Sequence, residues 1–89
     1  MSPLCRAVLD TERALARPER TNFELAYAIN NLSHRILMAA DAGDTDLVTE
    51  LTVEMTWEAV RLTKQLGGDL DTLLRQHGIA LLSNAARKL

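Results

Sequence analysis

Between Thr21 and Leu66 the chain carries two apolar stripes at helical spacing, separated only by a short break around Gly43 and Asp44. In the first, Leu25, Ile29, Leu32, Ile36 and Ala39 or Ala40 recur every three or four residues, which is the period of one face of an α-helix. In the second, Val48, Leu51, Met55, Ala59, Leu62 and Leu66 do the same. Gly43 supplies the left-handed residue that commonly ends a helix, and Asp44 or Thr45 is suited to cap the next. So short a connection makes the two helices antiparallel neighbours. The hairpin is the framework, and the remaining segments are added to it.

Thr21 followed by Glu24 has the form of a capping box and opens the first helix of the hairpin. That helix is apolar on two sides. Phe23, Tyr27, His34, Leu37 and Met38, with Asn30 among them, lie opposite the first stripe, and only Glu24, Ala28, Asn31 and Arg35 form a narrow solvated face. A helix apolar on two sides usually sits between neighbours, so this one is expected at the centre of the fold.

Upstream, Ser2-Pro3 is a favourable helix start. Leu4, Val8 and Leu15, with Cys5 and Ala7, give a modest stripe before Pro18 stops it, and Pro18-Glu19-Arg20 reads as a linker. Downstream, Gly67-Gly68 breaks the chain and Asp69 is placed to cap. Leu70, Leu74, His77, Leu81 and Ala85 then keep helical phase through Gly78, a glycine that costs a helix interior roughly 1 kcal/mol against alanine. One helix is expected here, with two short helices broken at Gly78 as the alternative. The sum is an all-α fold: a small antiparallel helical bundle of three long helices plus a shorter N-terminal one. It forms a single domain over 1–89, with helices at about 3–16, 22–42, 45–66 and 70–88.

A chain of 89 residues is near the lower end of what folds alone, and small helical proteins often add core by self-association. Hydrophobic residues at 47% and charged residues at 25% describe an ordinary globular chain. The net charge of −2 argues against a broad phosphate-binding surface. Cys5 stands alone, which excludes an internal disulfide and a cysteine-based zinc site. Arg6, Asp10 and Glu12 interrupt the N-terminal region where a secretion signal needs an apolar run. No uncharged stretch approaches the roughly 20 residues of a membrane span. A cytoplasmic protein is expected, with no membrane partner, no cofactor and no small-molecule substrate.

Trp57, with Val53 and Val60, forms a second patch on the far side of its helix, and Phe23 and Tyr27 lie behind it. An aromatic flanked by aliphatics is what protein–protein hot spots are made of, although another helix of the same chain would cover the patch equally well. Asp46, Glu50, Glu54 and Glu58 repeat every four residues, with Arg61 partly balancing the last. Like charges at this spacing are mildly destabilising, and a solvated face or a dock for a basic partner accounts for them. Metal binding does not, because a helical di-metal bundle needs Glu three residues before His, where Asn31 precedes His34 and Leu74 precedes His77.

The run Asn31-Leu32-Ser33-His34-Arg35-Ile36-Leu37 resembles the phospho-accepting helix of sensor histidine kinases and, more loosely, that of histidine phosphotransfer domains. The resemblance implies a phosphoryl group carried on His34. Leu37 and Met38 stand where those families place a polar, basic or proline residue. The plainer reading is a partly buried His34 hydrogen-bonded within the bundle. Residues 70–89 invite a helix-turn-helix reading with Gly78 in the turn and Ser83, Asn84, Arg87 and Lys88 presented to DNA. Asn84 and Arg87 occupy positions that motif keeps apolar, and the acidic balance speaks against nucleic acid. The turn Ala39-Ala40-Asp41-Ala42-Gly43-Asp44-Thr45-Asp46-Leu47 is similar to that of small flagellar-type export chaperones, which hold a substrate segment against a helical hairpin. Cys5, Ser2, Ser33 and Ser83 lack an acid–base context, and Gly67-Gly68 lacks the Lys of a phosphate loop. The expected function is therefore non-enzymatic. It is the binding of another protein, or of a second copy, by an adaptor, chaperone or small regulator. A His34 phosphotransfer protein and a DNA-binding regulator are the alternatives.

Overall fold

The computed structural model describes residues 2–88, which are all-helical with no strand among them. Helix α1 spans Pro3–Leu15, α2 Asn22–Asp41, α3 Thr45–Gln65 and α4 Leu70–Arg87.

The helix ends are set by local chemistry. Ser2 Oγ accepts from the Cys5 N–H at 3.2 Å, with Pro3 at the first helical position. At α2 the capping box is complete: Thr21 Oγ1 accepts from the Glu24 N–H and Glu24 Oε1 accepts from the Thr21 N–H, both at 3.1 Å. The bond from the Thr21 N–H to the Glu24 carboxyl, then the Thr21 hydroxyl beside that carboxyl, with a smaller contribution from Arg20, hold it below the ordinary glutamate range. Its support for the helix is present once the carboxylate is ionised, and it is lost as the pH falls through that lowered value.

Helices α2 and α3 end alike. The Gly43 N–H reaches Ala40 O at 3.1 Å and the Asp44 N–H reaches Ala39 O at 3.0 Å, with Gly43 at φ 72°. The Gly67 N–H reaches Lys64 O and the Gly68 N–H reaches Thr63 O, both at 2.9 Å, with Gly67 at φ 88°. Both are Schellman closures that satisfy carbonyls a helix end otherwise leaves bare. Asp44 then caps α3, its Oδ1 accepting from the Leu47 N–H at 3.1 Å. Only Ala42, Gly43 and Asp44 separate α2 from α3. At the far end Gln65 Nε2 donates to Arg20 O at 2.8 Å and to Asn22 Oδ1 at 2.7 Å. The pair is thus tied at both ends.

Helix α3 is rich in threonine, which ordinarily competes with helical hydrogen bonding. Here Thr49, Thr52, Thr56 and Thr63 each turn the hydroxyl back to the carbonyl four residues earlier.

The main packing is α2 on α3. Leu32, Ala39 and Leu51 are buried there, with Ile36, Leu47, Val48 and Met55 packed around them. Leu25 and Leu51 are the most deeply enclosed side chains. A second cluster forms where α1 crosses α3: Cys5 and Val8 bury Val60, with Trp57 and Leu70 against them.

Two expectations change. The helix between neighbours is α3, which contacts α1, α2 and α4, and not α2. Helix α1 settles on the Trp57–Val60 side of α3, so the second apolar side of α2 has no helix laid over it. The four helices also do not draw into one closed bundle. No residue of α4 is buried, and its contact with the rest is at its beginning, through Leu70 and Leu73. The radius of gyration is 15.5 Å, where a compact chain of this length has about 12 Å. Gly68 makes the corner from which α4 departs, since a Cβ there would lie 3.1 Å from Leu73 Cδ1 and 3.2 Å from Thr63 Cγ2.

Ala16 closes α1 at φ 50° and ψ 37°, the left-handed region that favours glycine. An L-residue there costs roughly 1–2 kcal/mol, while glycine adds unfolded-chain entropy of about 0.4–1 kcal/mol. Ala16→Gly is expected to raise stability by about 0.5–1 kcal/mol, read as a higher urea midpoint at unchanged slope.

Candidate functional site

Three surfaces hold the residues singled out by sequence. The first is the seam between α1 and α3. Val60 is only 4% exposed there and Trp57 is partly buried beside it, while Val53, one turn earlier, is open to solvent. The single patch of Val53, Trp57 and Val60 is therefore split by α1, because Cys5 and Val8 lie on Val60. Trp57 Nε1 donates to Glu12 Oε1 at 2.7 Å. Glu12 also accepts from Arg17 Nε at 2.9 Å and from Arg17 Nη2, and Arg61 Nη1 stands 3.8 Å away. Arg61 in turn pairs with Glu58 at 3.2 Å. One carboxylate thus joins the end of α1, the linker and the middle of α3. Glu12 was not among the sequence candidates. Its partners lie five residues away across a helix end and 45 residues away on α3, and no local pattern encodes either.

The second surface is an open groove of about 510 Å³ floored by Trp57 and Leu32. Arg17, Arg20 and Arg35 rim it, with Asn31, Glu54 and Glu58. Its charges are nearly balanced, and it offers no serine, cysteine or histidine. Along the carboxylate row, Asp46, Glu50 and Glu54 are exposed and Glu58 turns to Arg61. Among the described residues no group of three His, Cys, Asp or Glu side chains is placed to hold a metal ion.

The third surface is the outer side of α2, opposite α3. Phe23 is 76% exposed, and Tyr27, Leu37 and Met38 are each more than half exposed. The Phe23 and Tyr27 rings stack at 6.1 Å between centroids with 21° between planes. His34 lies on this side, exposed and without a hydrogen-bond partner among the described residues, so the reading of a hydrogen-bonded interior histidine does not hold. His77 is exposed on α4. Helix α4 runs unbroken through Gly78, so the turn that a helix-turn-helix needs is not there. Lys88 caps that helix, and Leu89 lies outside the described residues. None of the described helices is long and apolar enough to cross a membrane.

Comparisons of the chain with protein-family profiles, with curated proteins and with solved structures found no match in any of the three.

The seam makes a specific demand on Trp57. Trp57→Phe keeps a ring in the cluster and removes the donor to Glu12, which is expected to cost about 1 kcal/mol in urea unfolding. Trp57→Glu places a second carboxylate beside Glu12. It is expected to release α1, seen as faster amide exchange over residues 3–15 while the α2–α3 core stays protected.

Proposed function

We propose that the protein is a non-enzymatic protein-binding module whose contact surface is the outer side of α2. The observation that carries this reading is the exposure of Phe23, Tyr27, Leu37 and Met38 together on one helix whose opposite side is already packed on α3. From Phe23 to Met38 the stripe runs about 22 Å along the helix. Exposed apolar side chains scattered singly are normal, but an aligned set with two stacked aromatics has the form of an interaction site. Asn30 and His34 sit within the stripe and would give polar register to a partner whose own apolar helix lies along α2. That partner helix would complete the antiparallel bundle the sequence suggests and this chain alone leaves open.

The role of an adaptor, chaperone or small regulator follows from such a surface, and Val53 is a further exposed contact on the neighbouring helix. Trp57 and Val60 support it from within. The phosphotransfer alternative gains from the exposure of His34 but not from its surroundings, since Leu37 and Met38 lie one turn further on.

Retention of a partner from an extract of the source cells, by immobilised wild-type protein and by Phe23→Glu and Tyr27→Glu, tests the reading. Both positions are exposed, so helicity by circular dichroism is expected to match the wild type. Each charge is expected to weaken the partner's affinity at least tenfold. Unchanged affinity in both variants would refute the proposal.

A further inference from the structure

Helix α4 poses a separate problem. It is 18 residues long and has no buried residue, yet Leu74, Leu81 and Leu82 are all more than half exposed on it. Most of the stability of a helix in a protein comes from packing an apolar face against a neighbour rather than from propensity. The spacing of Asp71, Leu74, Gly78, Leu81, Ala85 and Lys88 alternates three and four, the seam of a coiled coil. Within that seam large and small residues are arranged head to tail. Laid antiparallel on a second copy of itself about a point between Ile79 and Ala80, α4 sets Leu81 against the other copy's Gly78 and Leu74 against its Ala85. The same register sets Asp71 against the other copy's Lys88, at both ends. Every large side chain meets a small one and every acid meets a base. A parallel pairing would instead set Asp71 on Asp71 and Lys88 on Lys88.

Gly78 supports this independently. A Cβ placed there would meet nothing within 4 Å in this chain, so the fold of one copy does not require glycine in the middle of a helix. A close approach by another backbone would. Asp71 is held by Arg75 at 3.0 Å, an i,i+4 pair that leaves the acid about a third exposed at the edge of the seam.

We propose that α4 is a homodimerisation helix, pairing antiparallel with α4 of a second copy through Leu74, Gly78, Leu81 and Ala85 and clamped by Asp71 and Lys88. This rests on the protein-binding reading and names one partner, a second copy, on a surface distinct from the outer side of α2. Asp71→Lys and Lys88→Asp variants of the full chain provide the test, by sedimentation equilibrium alone and as an equimolar mixture. Each single variant places like charges at both ends of its own dimer, and the mixed dimer restores two opposite pairs.

The wild type is expected to dimerise, each variant alone to dissociate about tenfold more readily, and the mixture to recover nearly wild-type strength. Gly78→Leu is expected to weaken the dimer although it favours helix and adds apolar surface. A monomeric wild type at 100 μM (roughly, a dissociation constant above the range of specific dimers) would overturn the inference and leave the α2 surface untouched. A dimer insensitive to the α4 variants but lost in Tyr27→Glu would overturn it in favour of that surface. Failure of the mixture to recover would overturn the antiparallel register.

Discussion

The reversal between α2 and α3 is the constraint from which the other features follow. Three residues turn the chain, and they do so with Gly43 left-handed, Asp44 closing α2 through its N–H and opening α3 through its carboxylate. So short a link fixes which residues of the two helices face each other. Leu32 and Ala39 then meet Leu51, and Gln65 arrives beside Asn22. A longer loop would let α3 slide or rotate on α2, and the side of α3 that receives α1 would no longer be defined. The placement of Val60 and Trp57 toward Cys5 and Val8 is therefore a consequence of the turn as much as of their own apolarity.

The helices and their ends were legible because their determinants are local. The Thr21–Glu24 capping box, the serine and proline at the start of α1 and the glycines after α2 and α3 all act within five residues. The choice of central helix was not legible. Both hairpin helices carry a second apolar side, and nothing local says which side α1 will cover. The deciding contacts are non-local: Cys5 and Val8 on Val60, and Glu12 on Trp57. The same limit explains the candidate site. Phe23 and Tyr27 were identified as apolar surface and stand exposed, whereas Val60, of the same chemistry, lies in the seam. Burial of one and exposure of the other depend on the docking of a helix held by a single polar hub.

That hub shows how a weakly apolar helix is held. Helix α1 buries only Cys5 and Val8, a small area for 13 residues. Glu12 adds directional bonds from Trp57 and from Arg17, whose guanidinium belongs to the linker. An ion pair open to water contributes little, but this carboxylate is largely enclosed and hydrogen-bonded by two elements, which strengthens each bond. It sets the rotation of α1 on α3 and anchors the linker that delivers the chain to Thr21. Its bond to Trp57 adds to the contacts of Cys5 and Val8 in keeping Val60 and Trp57 within the seam.

Chain length turns these observations into one argument. At 89 residues there is apolar sequence for a four-helix core, but only the α2–α3 hairpin and the α1 seam are closed within one copy. The corner at Gly67-Gly68 sends α4 away from the position where it would cover α2, and at Gly68 a Cβ would fit only tightly against the Leu73 and Thr63 side chains. Such a corner spends α4 as an arm and leaves the outer side of α2 bare. Both consequences come from one geometric feature, and both raise the free energy of the isolated chain relative to a closed bundle. Burial of each apolar side by another polypeptide removes that excess, at about 25 cal/mol for every Å² taken from water. Within one copy the outer side of α2 and the length of α4 beyond its first turn stay uncovered, on two surfaces joined through α3.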